Sequence, residues 1–145
     1  MDLETLMAFL SFENIDLTFD DDYLDNGNVS DKRIGPGEKN VRERYSLHKN
    51  ENVGLVIVGN DSNNNYVTLI TDQRFIVVES KNKKPIKNIR WNNIKYVEYL
   101  DGDIIFKSIG GHRILVPMRF LTESNDNMDE NGKMLVSLLK KRFNI

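Results

Sequence analysis

The residues able to do chemistry are few and badly placed for it. The histidines, His48 and His112, lie far apart and neither has a Glu-x-x-His or His-x-His neighbour. With no cysteine, the chain has no thiol nucleophile, thiolate ligand or disulfide. A Gly-x-Ser-x-Gly elbow, a phosphate-binding P-loop and a Gly-x-Gly-x-x-Gly turn are all missing. Two Asp/Asn-rich stretches approach a calcium loop. Counting Asp22 as position 1 puts Asn26 and Gly27 at positions 5 and 6, but Leu24 at 3 and Arg33 at 12. Counting Asn127 as position 1 aligns Asp129, Asn131 and Gly132, yet Leu138 stands where the bidentate carboxylate belongs. Asn127 to Gly132 therefore reads as the capped start of a helix. No catalytic residue, metal ligand or cofactor is assigned, and the expectation is a protein that is not an enzyme.

Charge is the stronger signal. Residues 1–31 hold nine acids and no Lys or Arg, whereas residues 32–145 hold all 20 bases against 13 acids. Such asymmetry marks either a partner of opposite sign or an acidic segment folded over its own basic body. In DLTFDDDYLDN, the acids Asp16, Asp20, Asp21, Asp22 and Asp25 alternate with Phe19, Tyr23 and Leu24, a mixture suited to docking on a basic protein surface. Between Arg74 and Lys95 lie seven bases against the single acid Glu79. KNKKPIK gathers Lys81, Lys83, Lys84 and Lys87, either to grip an anionic ligand or as solvated edge lysines that block strand pairing. Trp91 beside Arg90 suits the core better than base stacking, and aromatics are not interleaved with the bases, which argues against nucleic acid.

Elements must position these residues. Leu3, Leu6, Met7 and Leu10 fall on one face of a short helix over 2–13. Residues 16–37, rich in Asp, Asn and Gly, read as a connector, and 38–45 as a helical turn. From Val53 onward, strand-like runs alternate with turn chemistry: 53–59, 66–71, 74–79, 86–91, 94–100, 103–109 and 112–118. Asp101-Gly102 is a type I′ hairpin signal, and Gly110-Gly111 joins the last two runs. Asp72-Gln73-Arg74, between YVTLIT and FIVVE, reads as turn chemistry, with Asp72 bonding nearby amides and Arg74 entering the next strand. Met128, Met134, Leu135, Leu138, Leu139 and Phe143 recur at helical spacing, and Lys140, Lys141 and Arg142 sit at the favoured end of that helix. The order predicts a mainly β fold with α: about seven antiparallel strands in a bent sandwich or open barrel, capped by a C-terminal amphipathic helix and preceded by a short N-terminal helix.

TLITDQRFIVVES and IRWNNIKYVEY resemble the strand-turn-strand and the following strand step of bacterial pleckstrin-homology-like and GRAM-like domains, and VRERYSLHKNENVGLVIVGND resembles their lead-in. The resemblance covers about residues 41–143. It implies a binding module for phosphoinositides or proteins. Lipid-binding members carry bases in the loop between the first two strands, where this chain has NDSNNN, so the resemblance does not carry that headgroup site over.

The chain thus divides into an acidic helix and connector, 1–40, and a pleckstrin-homology-like domain, 41–145. At 145 residues, 39% hydrophobic and 29% charged, with no apolar run near the roughly 20 residues of a membrane span, it reads as a soluble protein. MDLETLMAFL has acids where a secretory signal has bases, and cysteine-free composition suits a reducing cytoplasm. The expected partner is another protein, with weak affinity for anionic membrane through the lysine cluster. The alternative is a bacterial immunity or antitoxin-type protein whose segment Asp16 to Asp25 neutralises a basic, nuclease-like toxin.

Overall fold

In the computed structural model the structure describes residues 31–32, 46–60, 64–79, 85–121 and 127–145. Among the described residues eight strands form, most of them short runs rich in β-branched and aromatic residues: β1 (Asp31–Lys32), β2 (Val53–Asn60), β3 (Asn65–Thr71), β4 (Arg74–Glu79), β5 (Pro85–Arg90), β6 (Ile94–Leu100), β7 (Asp103–Ser108) and β8 (Arg113–Pro117). They make two antiparallel sheets, β1-β2-β3-β4-β5 and β6-β7-β8, and within each sheet adjacent strands are consecutive in sequence. The seven expected strands stand within a residue or so of their expected ends. The two-residue β1, which pairs Asp31 with Ile57 and Lys32 with Val56, was read as connector. The N-terminal helix expected over 2–13 lies outside the described residues.

Local chemistry explains the turns. Asp101 and Gly102 adopt φ of 51° and 85°, the pair of positive values a type I′ turn requires. Trp91 leaves the expected strand for a 3-10 turn, Trp91–Asn93, that carries the chain from one sheet to the other. A second 3-10 turn, Met118–Leu121, follows β8 and had no sequence signal of its own.

Helix α1 (Met128–Phe143) closes the sandwich with Leu135, Val136, Leu138 and Leu139 buried. Asn127 and Asn144 flank it in left-handed geometry, and the Asn127 side chain makes no capping bond; its carbonyl accepts the Asn131 N–H at 2.8 Å instead. The helix is fastened at both ends. Near its start Gly132 is buried against the ring of Tyr99, so close that a Cβ there would lie 2.3 Å from a ring carbon. Near its end Phe143 stacks on Trp91, centroids 4.0 Å apart and planes at 15°. Trp91 also meets Phe75 of β4 at 6.1 Å and Phe106 of β7 at 6.0 Å, so one indole joins both sheets and the helix. Its Nε1–H donates to the Thr71 carbonyl at 2.9 Å, satisfying its only polar group. This is the core role read from the sequence.

The Tyr99 hydroxyl donates to Asp129 Oδ1 at 2.6 Å. Burial, and then the bond to and charge of Asp129, push its phenol up to about 12. Because the folded value is raised, the protonated phenol favours the native state below the unfolded value of about 10, and that contribution is lost as pH rises through 12. An ultraviolet titration is expected to show Tyr99 ionising near pH 12. Asp129→Asn should move it back toward the ordinary value of about 10, and an unchanged curve would show that the bond does not hold the proton.

Candidate functional site

The residues of the Asp72-Gln73-Arg74 turn build a buried polar knot. Glu51 precedes β2 and Arg74 opens β4, and both are buried. Arg74 Nη2 and Nε donate to Glu51 Oε1 and Oε2 at 2.7 and 2.9 Å, a bidentate ion pair. Thr71 Oγ1 donates to Glu51 Oε2 at 2.5 Å and accepts the Arg74 and Gln73 amides at 2.8 and 3.1 Å. His48 N–H donates to Glu51 Oε1 at 3.1 Å, and Arg74 Nη2 reaches the Ser46 carbonyl at 3.4 Å. Beside this, the Asp72 carboxylate accepts the backbone and side-chain N–H groups of Asn52 at 3.0 and 3.1 Å. Burial pushes the Glu51 carboxyl up, but the bonds from Arg74, Thr71 and His48, with the charge of Arg74, outweigh it and hold it below the ordinary carboxylate range. The triplet is a turn as read, with two corrections: the turn's own amides are bonded by Thr71 Oγ1 while Asp72 reaches across to Asn52, and Arg74 is not part of an exposed basic patch, because its charge is spent on Glu51. The knot fixes how the chain enters the domain.

The other sequence candidates separate. Asp16, Phe19, Asp20, Asp21, Asp22, Tyr23 and Asp25 lie outside the described residues, as do Lys81, Lys83 and Lys84. Lys87 stands opposite Val77 on β5 and is half-buried, while its neighbours Ile86, Asn88 and Arg90 are exposed. His48 and His112 are both exposed, and among the described residues no group of three His, Cys, Asp or Glu could hold a metal ion.

Sequence reading missed the outer face of the second sheet. Alternation sends Val97, Tyr99, Ile104, Phe106, Ile114 and Val116 inward and leaves three cross-strand rows outside: Tyr96, Lys107 and Arg113; Glu98, Ile105 and Leu115; Leu100, Asp103 and Pro117. A register shift between Ile94 and Tyr96 turns Tyr96 to this side. Leu100 is 51% exposed, Leu115 42% and Tyr96 40%, around a buried Ile105. The Tyr96 ring also carries Lys140 of α1, with Nζ 4.8 Å from its centroid. The face thus carries Ile105 and Leu115 beside Glu98 in its middle row, Lys107 and Arg113 at one end and Asp103 at the other. The signal was present in IKYVEYL and HRILVPM, whose outward positions include Tyr96, Leu100 and Leu115 where a wetted face would be polar.

Two antiparallel sheets closed by one C-terminal helix define a pleckstrin-homology-like fold, an architecture of binding modules. The family model described as bacterial PH domain matches residues 47–128, and the chain belongs to that family. No curated protein matches the chain. Among solved structures, the FERM and C-terminal domain complex of Drosophila Merlin is similar at a TM-score of 0.42 and 13% identity, over 98% of this chain and 55% of that one. The chain thus spans about half the length of that protein chain. No helix among the described residues is long and apolar enough to cross a membrane.

Proposed function

We propose that the domain is a non-enzymatic adaptor that docks another protein on the outer face of β6, β7 and β8. The observation that carries this is the exposure of Leu100, Leu115 and Tyr96 around Ile105, with Lys107 and Arg113 at one end and Asp103 at the other. Exposed Tyr, Leu and Arg around a dry centre are the materials of an interface anchor, and charges at the rim set orientation and encounter rate. Weak contact with anionic membrane is a second reading. It is favoured by Ile109, 66% exposed at the β7–β8 tip between Lys107 and Arg113, and by the lysines of KNKKPIK. The immunity-type reading instead assigns partner contact to Asp16 through Asp25.

The test compares capture of a partner from the native cell by the full chain and by variants of it. Leu115→Ser or Leu100→Ser, at exposed sites, should leave the melting temperature nearly unchanged and weaken capture roughly thirty-fold, as loss of an anchor worth about 2 kcal/mol does. Undiminished capture would reject this face. Loss on deleting residues 1–31 alone would favour the acidic segment, and loss of anionic-vesicle binding on neutralising Lys81, Lys83, Lys84 and Lys87 would favour the membrane.

A further inference from the structure

The two sheets differ in a way that the docking reading does not use. In the three-stranded sheet the outward positions are largely exposed. In the five-stranded sheet the central strands β3 and β4 are closed on both faces. Tyr66, Ile70, Phe75, Val77 and Ile89 face the inner cluster, whereas Val67, Leu69, Ile76 and Val78 alternate to the opposite face, stand outside that cluster and are nevertheless 0% exposed. Their register, Val67 with Val78 and Leu69 with Ile76, makes them one contiguous apolar patch. A strand buried on both faces reads as an unbroken apolar run, as YVTLIT and RFIVVE do. No described helix or sheet packs on this patch; the Met118–Leu121 turn, which contacts β2 and β3, belongs to the inner cluster.

We propose that the cover is this chain's own N-terminal segment, residues 1–45, making the domain a three-layered unit rather than a sandwich with a free tail. Its two attachment points lie on either side of the patch. Lys32 of the edge strand β1 pairs with Val56 of β2, next to β3, and the Ser46 carbonyl accepts a bond from Arg74 at the start of β4. The remaining stretches outside the described residues, 61–63, 80–84 and 122–126, are three to five residues each, too short to cover a patch spanning two strands. The segment has what the patch needs, because Leu3, Leu6, Met7 and Leu10 form one apolar stripe at helical spacing. Its charge also fits, with nine acids in residues 1–31 against an excess of bases in the rest of the chain. The acidic residues then form an outer surface of the domain itself, held on its basic body.

Because the chain has no cysteine, a single nitroxide can be placed at Asn88→Cys, an exposed position opposite Ile76 on the same face. In the full-length protein the label is expected to bleach the amide signals of residues 3–10, the apolar stripe, with recovery on reducing the nitroxide. Unbleached signals throughout 3–10 would overturn the proposal. So would bleaching seen only between labelled and unlabelled molecules in a mixed sample, which would make a second copy the cover. In the full chain, Leu6→Asp with Leu10→Asp should open the methyl groups of Val67, Leu69, Ile76 and Val78 to a soluble paramagnetic probe while Trp91 fluorescence stays native. Unchanged protection of those methyls would remove the stripe as the occupant.

Discussion

Glu51→Leu is expected to lower the unfolding free energy by about 3–5 kcal/mol, because it leaves the Arg74 guanidinium buried without its counter-ion. The intact pair owes its place to geometry: two charge-assisted bonds from Arg74, a third from Thr71 and a fourth from the His48 amide saturate one carboxylate. The double variant Glu51→Leu, Arg74→Leu should recover only part of the loss. It removes the stranded cation but also the bonds that the Thr71 hydroxyl and the His48 amide make to the carboxylate, worth about 0.5–1.5 kcal/mol each. Chemical denaturation of the four proteins gives the coupling directly, and simple additivity of the single variants would show that the pair does not act as a unit.

The same pair sets a pH dependence. A folded carboxyl held below its unfolded value contributes stability that is present above the ordinary glutamate range, near 4.3, and is lost as pH falls through the lowered folded value. The unfolding free energy should therefore decline on acidification below about pH 5, and Glu51→Gln should flatten that decline. An equal acid slope in both proteins would assign the effect to other carboxylates.

Gly132→Ala is the second large effect. In a helix interior, alanine is ordinarily preferred over glycine by about 1 kcal/mol. Here the added methyl would lie 2.3, 2.5 and 2.9 Å from three carbons of the Tyr99 ring, which is itself bonded to Asp129 and cannot simply swing away. Overpacking of this kind costs about 1–3 kcal/mol, and the depth of the overlap puts it at the upper end, so the net effect is destabilising. The melting temperature should fall for Gly132→Ala and be largely restored in the Tyr99→Ala background, where the methyl has room. A stabilised single variant would mean that the helix stands farther from β6 than described.

These two sites show where sequence reading stops. The strands were legible because each ends in chemistry that forces a turn, such as Asp101-Gly102, and the closing helix because its apolar spacing is regular. Glu51 and Arg74 are 23 positions apart, and nothing in either residue's neighbourhood distinguishes a buried carboxylate from a solvated one. Arg74 was accordingly counted with the exposed bases. Gly132 drew attention as a calcium-loop glycine, although the reason for a glycine lies on another strand, in Tyr99. The outer face of β6, β7 and β8 was readable in principle, but only once alternation is assigned to an inside and an outside, and the shift before Tyr96 alters that assignment.

The aromatic joint at Trp91 also orders events during synthesis. Every strand from β2 to β8 pairs only with neighbours in sequence, so short hairpin closures, which cost little chain entropy, complete both sheets as the chain lengthens. Leu135, Leu138, Leu139 and Phe143 follow all of these strands. Until they leave the ribosome, the nascent sheets lack the apolar lid of the helix, with Trp91 open on the side that Phe143 later covers. The emergence of that helix thus turns an open, adhesive pair of sheets into a sealed domain.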